Sequence, residues 1–414
     1  MDMINITIPN NNIPERTYII DIIFKDFLGL NYSLEVGSIE YEIVLSNEKE
    51  LTIKDTFFNK YLKELAYLKV ENIPKSIKEL DIFSASFFML TRWEEYVNKN
   101  RDSHNRFPAY ESLAYKEGFL DTPIVNELIE DLKSKLLALD SSLVFKKRVF
   151  ELVLTHDVDE VKFWKSKKQL FRIVLGDILK RRDVALALGR VKEYYLVSIG
   201  KIKDPFDTFD WLMQKSEEIG VKSRFYFMSG GVTEHDNRYD ITTQKILIEK
   251  IKSRGHIVGI HPSYNAYNNF EQFEKEKKLL EEVCECKIDE GREHYLRFEV
   301  PTTWQIWEDN GMKIDSSCGY ADKEGFRCGT GDEFSVFNIL SREKLKLKER
   351  PLIYMDDNRL ANERVYDKDT LMETITRLKD KNREYGSINT LLFHQNIFAV
   401  DEIDYKGIYE TVIK

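Results

Sequence analysis

The sequence has little cysteine, no long apolar run and no general excess of positive charge, and each shortage closes off a class of protein. Four cysteines among 414 residues are too few for a disulfide scaffold. Cys284 and Cys286 stand too close together, and too irregularly placed relative to Cys318 and Cys328, for a zinc ribbon. Reduced thiols in a cytoplasmic protein are therefore expected. No stretch approaches the roughly 18 consecutive apolar residues that a membrane-spanning helix needs. The opening residues, 1–6, lack the basic-then-apolar pattern of a secretory signal, which again predicts a cytoplasmic location. A net charge of −9 argues against nucleic acid as a partner, since that needs a basic footprint. Low-complexity tracts are also missing, so disorder does not dominate.

What is present is enough apolar residue, 42%, for a real core, in a chain long enough for two domains or for one large domain with an appendage. Residues 1–140 read as a smaller α+β domain. Enrichment in β-branched and aromatic residues predicts strands at 18–24 and 41–45. A helix is expected from Asp81 through Leu90 and on to Tyr96, and a second from Pro123 to about Leu137. Between them lies a polar loop, 98–106, whose His104 reads as solvated surface.

From Lys147 the texture changes. Apolar strand-like runs at 149–154, 223–228, 257–261, 294–298, 352–355 and 388–393 alternate with helical ones. That alternation implies parallel βαβ units, and so an α/β sheet or barrel over 147–414. In such barrels chemistry gathers at the C-terminal ends of strands. Asp157, Asp159, His261 and His394 all fall there.

One insertion stands apart. Residues 162–203 carry about a dozen basic side chains against about three acidic ones, with apolar residues at helical spacing. Two readings are open: a basic amphipathic helix making peripheral contact with an anionic membrane or gripping a phosphorylated substrate, or a hairpin packed on the barrel with its lysines in water.

In Thr155-His156-Asp157-Val158-Asp159 the two carboxylates lie two residues apart on an extended chain, so they face one pocket. They would repel unless a cation or a raised pKa relieved them. In the segment 255–264, His256 and His261 face opposite sides, and His261, at the strand's end, is the better ligand. Imidazole with carboxylate suits zinc or a similar first-row metal. His156 is expected to pack near the site, and His235 to lie on the surface. The glycines of 325–331 lack the lysine and the strand-to-helix setting of a phosphate loop.

Together these pieces resemble the NodB-homology polysaccharide deacetylases, carbohydrate esterase family 4 and its relatives, over roughly residues 147–414. The resemblance implies a distorted (β/α) barrel, with Asp157 as general base and Asp159 as metal ligand. The family's second motif has two histidines four apart; here His261 fills the first place and Asn265 the second, so the third ligand is Asn265 through its amide oxygen or His294 from another strand. The altered third motif, Arg292-Glu293-His294-Tyr295, implies that Arg292 orients Asp157. Residues 311–317 resemble the family's Asp-Ser-Ser turn, with Asp315. Residues 351–357 resemble a late motif whose aspartate tunes the catalytic histidine, and Leu391-Leu392-Phe393-His394 supplies that histidine. Asp356 is the assigned partner of His394, with Asp315 as alternative. Tyr295, Trp304 and Tyr320 are candidates to line a sugar groove, although aromatic residues are more often core. Residues 86–96 and 106–121 resemble an uncharacterised domain that precedes such deacetylase domains in bacterial proteins.

The function implied is a zinc-dependent hydrolase that removes an N-acetyl group from an amino sugar of a surface or capsular polysaccharide precursor, nucleotide- or lipid-linked, in the cytoplasm or at the inner face of the membrane. Hydrolysis of a non-sugar amide on the same fold is one alternative. A degenerate deacetylase fold that binds a glycan or a partner protein is another.

Overall fold

Long runs of Val, Ile, Leu and Phe bounded by charged helices are what a parallel sheet covered on its faces demands. The computed structural model, which describes residues 4–236, 238–356, 368–399 and 403–414, is built around one. The N-terminal part begins with strand β1 (Ile4–Pro9) and helix α1 (Ile13–Asp21), then β2 (Tyr32–Ser38), β3 (Tyr41–Val44) and β4 (Glu50–Ile53). These strands form a sheet in the order β2-β1-β3-β4. Helices α2 (Ile82–Thr91), α3 (Trp93–Val97), α4 (Leu113–Lys116) and α5 (Ile124–Leu139) follow.

The remainder alternates. Strand β5 (Glu151–Val158) leads into the helical hairpin α6 (Lys167–Gly176) and α7 (Val184–Ser198). Then come α8 (Phe209–Glu218), β6 (Ser223–Phe227), α9 (Lys245–Ser253), β7 (Ile257–Ile260), α10 (Phe270–Cys284), β8 (Glu290–Gly291), α11 (Thr302–Asp309) and β9 (Ile314–Asp315). The chain closes with β10 (Phe334–Asn338), β11 (Glu343–Glu349), β12 (Tyr354–Met355), α12 (Lys368–Glu384), β13 (Ile388–Leu392) and α13 (Tyr405–Val412). The nine strands pair in the order β10-β11-β9-β8-β7-β6-β5-β13-β12. Every pair is parallel except β10 with β11. The β/α alternation expected of a barrel is there; among the described residues no pairing joins β12 to β10.

Two glycines bring the ligand-bearing strands together. A Cβ on Gly291 would overlap the Ile260 carbonyl oxygen, and one on Gly259 would meet Glu290 and the Tyr226 ring. Without side chains there, β7 and β8 approach closely enough to set His261 beside the segment that follows β8.

Three expectations need correction. Residues 18–24 are not a strand: they fall in α1 and the π-helical turn Ile22–Phe27, with Ile19, Ile20, Ile22, Ile23 and Phe24 fully buried. A helix buried on nearly every side carries the same β-branched and aromatic composition as a buried strand. The helix from Asp81 does not run unbroken to Tyr96, because Arg92 adopts a left-handed conformation (φ 53°) between α2 and α3. Residues 294–298 form no strand either, since Tyr295 and Leu296 have φ of 61° and 52°.

The two sheets share one apolar core, in which the Tyr18 ring packs 4.8 Å from Phe337 and Phe87 lies 5.7 Å from Phe337. A buried ion network adds polar specificity to this contact. Arg327 binds Glu95 through Nε (2.9 Å) and Nη2 (2.5 Å); Arg92 donates to Glu95 (2.8 Å) and to the Tyr320 hydroxyl (3.1 Å). Burial pushes Glu95 up, but the two guanidiniums outweigh it and hold the carboxyl at about 2. Glu94, facing Arg92 at 3.5 Å, is pushed up to about 7 by burial.

Candidate active site and metal centre

Alternation along β5 divides the opening motif between two sides of the sheet. His156 points into the core: its Nδ1 donates to the Phe393 carbonyl (2.7 Å), Nε2 lies 3.2 Å from Ser223 Oγ, and burial lowers its pKa to about 4. His256 is likewise spent on structure, with Nδ1 accepting from the Ser223 N–H (3.0 Å). Asp157 and Asp159 emerge on the other side, into a cavity of about 270 Å³ that His261, His294, Tyr295 and His394 also line.

His261 follows β7 directly. Its Nδ1 lies 2.7 Å from the Arg292 carbonyl oxygen, which can only accept, so the proton sits on Nδ1 and the Nε2 lone pair faces inward. Nε2 is 3.4 Å from Asp159 Oδ1. His294 Nε2 stands 3.7 Å from the same oxygen, and its Nδ1 3.7 Å from Asp236 Oδ1. Ligand atoms of Asp159, His261 and His294 all lie within 4.8 Å of one another. Asp159 Oδ1, His261 Nε2 and both ring nitrogens of His294 are buried without a hydrogen-bond partner. Buried polar atoms are rarely left so. Several converging on one point, from one carboxylate and two imidazoles, fit a divalent cation with a position left open for substrate. Burial would raise Asp159, but His294 and His261 hold it well below the usual carboxylate range.

Asn265 lies outside this cluster. It is exposed, and its amide oxygen accepts from Arg297 (2.9 Å). His294 is the residue that meets Asp159 and His261.

Around the triad stand two charge pairs. Arg292, fully buried, donates from Nη1 to Asp157 Oδ1 (2.8 Å) and Thr155 Oγ1 (3.0 Å), and from Nε to the Ser316 carbonyl (2.8 Å). That fork fixes the position of one carboxylate oxygen. On the other side, His394 Nδ1 donates to Asp356 Oδ1 (2.7 Å), and its backbone N–H to Asp356 Oδ2 (2.8 Å). Burial opposes the imidazolium, but Asp356, helped by Asp159 and Asp157, raises the pKa to about 10. It is Asp356, not Asp315, that meets His394 Nδ1; Asp315 accepts from the Ser317 N–H and hydroxyl, and burial takes it to about 7. Asp357, next in the late motif, lies outside the described residues.

Of the aromatic candidates, Tyr295 lines the cavity, its ring 4.7 Å from His294. Trp304 and Tyr320 are core. The Trp304 indole donates to Glu349 (3.0 Å), and Tyr320 packs with Phe107 and Ala109.

Three residues of this site had no motif to announce them. Asp236 is buried and engaged by Tyr264 N–H (2.9 Å) and Thr233 Oγ1 (2.6 Å). Burial would raise it, but His294 and these donors lower it to about 2, which makes it the carboxylate behind His294. His104 and Arg106, in the polar loop of the N-terminal part, reach the cavity wall. Arg106 donates to the Tyr295 carbonyl (3.0 Å), His104 Nδ1 lies 3.0 Å from the Tyr264 hydroxyl, and Arg297 donates to the His104 carbonyl (2.9 Å). The only early signal was a histidine and an arginine in one loop, and their partners lie far away in sequence.

Residues 4–141 match the model of a family of unknown function, DUF7033. No curated protein matches the chain. Among solved structures, a Mycobacterium smegmatis protein assigned to the polysaccharide deacetylases is 12% identical, with a TM-score of 0.42 over 65% of this chain and 84% of its own. A mutant of a CE4 family pseudoenzyme is 12% identical, TM-score 0.31, over 65% of this chain and 62% of its own. A mutant of such a pseudoenzyme with restored enzymatic activity is 12% identical, TM-score 0.26, over 60% and 66%. The chain thus spans just under two thirds of the length of these last two.

Proposed function

We propose that the chain is a metal-dependent hydrolase that removes the N-acetyl group from an amino sugar of a surface or capsular polysaccharide precursor. The observation that carries this reading is the convergence, in one cavity, of the unpartnered ligand atoms of Asp159, His261 and His294 with the Asp157–Arg292 and His394–Asp356 pairs. A zinc ion held by the triad would supply Lewis acidity to the amide carbonyl and to the attacking water. Asp157, oriented by Arg292, accepts the proton of that water as its oxygen bonds to the carbonyl carbon. His394, charged through Asp356, donates its proton to the amide nitrogen as the C–N bond breaks. Acetate and a free amino sugar leave. Arg106 and Arg238 on the cavity wall suit the phosphates of a nucleotide- or lipid-linked precursor.

The test is acetate release from N-acetylhexosamines, free, nucleotide-linked and lipid-linked, with small non-sugar amides alongside. The reading expects release from a sugar that stops on metal stripping and returns with zinc. Turnover of the small amides alone would favour the other hydrolase. Release that persists in the stripped protein would overturn the mechanism.

A further inference from the structure

The most anomalous surface of the molecule is the α6–α7 hairpin. It leaves the C-terminal end of β5, the same strand end that delivers Asp157 and Asp159 to the cavity. Helix α6 has no buried residue and α7 buries only Ala187. None of the residues 167–203 joins any of the hydrophobic clusters of the protein. Several of its large apolar side chains are instead in water: Phe171 is 66% exposed, Leu179 68%, Val184 59%, Leu188 66% and Tyr195 59%. Val184, Leu188, Val191 and Tyr195 recur at intervals of four, three and four, which lays them in one stripe along α7. A hairpin packed on the sheet would have turned that stripe inward. This one does not.

The charged side chains of the segment are mostly of one sign. Residues 162–203 hold twelve Lys and Arg against three Asp and Glu, in a chain whose net charge is −9. Lys167, Lys168, Arg172, Lys180, Arg182 and Lys192 are all exposed and have no acidic partner among the described residues. Apolar side chains in water beside unpaired cations are the composition of a helix that lies in a membrane interface. No helix among the described residues is long and apolar enough to cross a membrane.

We propose that this hairpin docks on an anionic lipid surface, its apolar stripe at the headgroup boundary and its cations among the headgroup phosphates. Charge decides between occupants. A second copy would bring two strongly positive hairpins face to face. A nucleic acid would answer the cations but offer nothing to Phe171, Leu179 and Leu188. Docked this way, the hairpin holds the cavity close to the bilayer, where a lipid-linked sugar would be met. That last clause rests on the deacetylase reading; the docking itself does not.

The experiment is co-sedimentation of the full chain with phosphatidylcholine vesicles, with and without phosphatidylglycerol, at low and high salt. Binding is expected only with phosphatidylglycerol and should weaken with salt. The double variant Leu179→Glu, Leu188→Glu should lose about tenfold or more in partitioning, with its melting temperature unchanged because neither residue touches the core. Failure to bind anionic vesicles would overturn the proposal. So would equal binding to neutral vesicles, or a soluble dimer that the double variant dissociates. A chain that docks but releases no acetate from any sugar sinks the deacetylase reading alone. One that cleaves soluble sugars yet ignores vesicles sinks the docking alone.

Discussion

The cavity and the hairpin spring from the same strand end, and each sets side chains against their usual preference, in opposite senses. At the cavity, imidazole and carboxylate lone pairs are buried with no partner in the chain; each such atom costs about 1–3 kcal/mol. In the hairpin, Phe171, Leu179 and Leu188 stand in water, each forgoing about 1.5–3 kcal/mol that burial would provide. The Glu95–Arg327–Arg92 network is the informative contrast. It is as buried and as charged as the cavity, yet its carboxylate and guanidiniums answer one another. A satisfied polar cluster belongs to the fold. An unsatisfied one, or an unsatisfied apolar stripe, points to something outside the chain that completes it.

This contrast can be broken by substitution, and the largest effect is expected at Asp157, the proposed base. Asp157→Asn should lower kcat by about 10²- to 10⁴-fold while leaving zinc affinity within a few fold, because the proposed mechanism uses Asp157 as base and the ligand cluster does not include it. Steady-state acetate release with a parallel zinc titration reads both; loss of metal along with activity would move Asp157 into the ligand set. Next comes the satisfied network. Arg327→Met removes one of the two guanidiniums that hold the buried Glu95 and should cost about 3 kcal/mol in urea unfolding, with zinc affinity unaltered. A change below about 1 kcal/mol would mean that the network is wet. Asp236→Asn should weaken zinc about 10- to 100-fold by removing the negative charge behind the ring of His294, and an unchanged affinity would remove Asp236 from the site.

The smallest effect tests the network by pH. Glu94 has a folded pKa raised to about 7 from a usual 4.5, with burial as the main cause. The folded state therefore binds the extra proton, and stability falls as pH rises between those two values. Glu94→Gln should stabilise the protein at pH 8 by on the order of 1–2 kcal/mol, with the advantage fading toward pH 4. Melting curves across that range check it, and a pH-independent difference would contradict the assignment.

What could be read from the sequence follows physical lines. Strands β5, β6, β7 and β13 were legible because strands buried on both faces read as continuous apolar runs, and Asp157, Asp159, His261 and His394 came with them as the polar residues at their ends. Residues 18–24 misled because an all-round buried helix and a buried strand share a composition. The turn at Tyr295 and Leu296 was illegible because a left-handed backbone at two non-glycine residues costs about 1–2 kcal/mol each and is held by surroundings that composition does not show. Asp236, His104 and Arg106 acquire a role only through partners that the fold brings together. The hairpin was half legible: its charge was plain in the sequence, whereas which way its apolar stripe faces was decided by the packing.

The central claim is that unpartnered ligand atoms of Asp159, His261 and His294 hold a divalent ion. Titrating zinc into the metal-free chain by calorimetry tests it most directly. One site per chain is predicted, abolished in the Asp159→Ala, His261→Ala, His294→Ala variant while Asn265→Ala binds as the parent does. Equal binding by the triple variant, or no binding by the parent, would contradict the account.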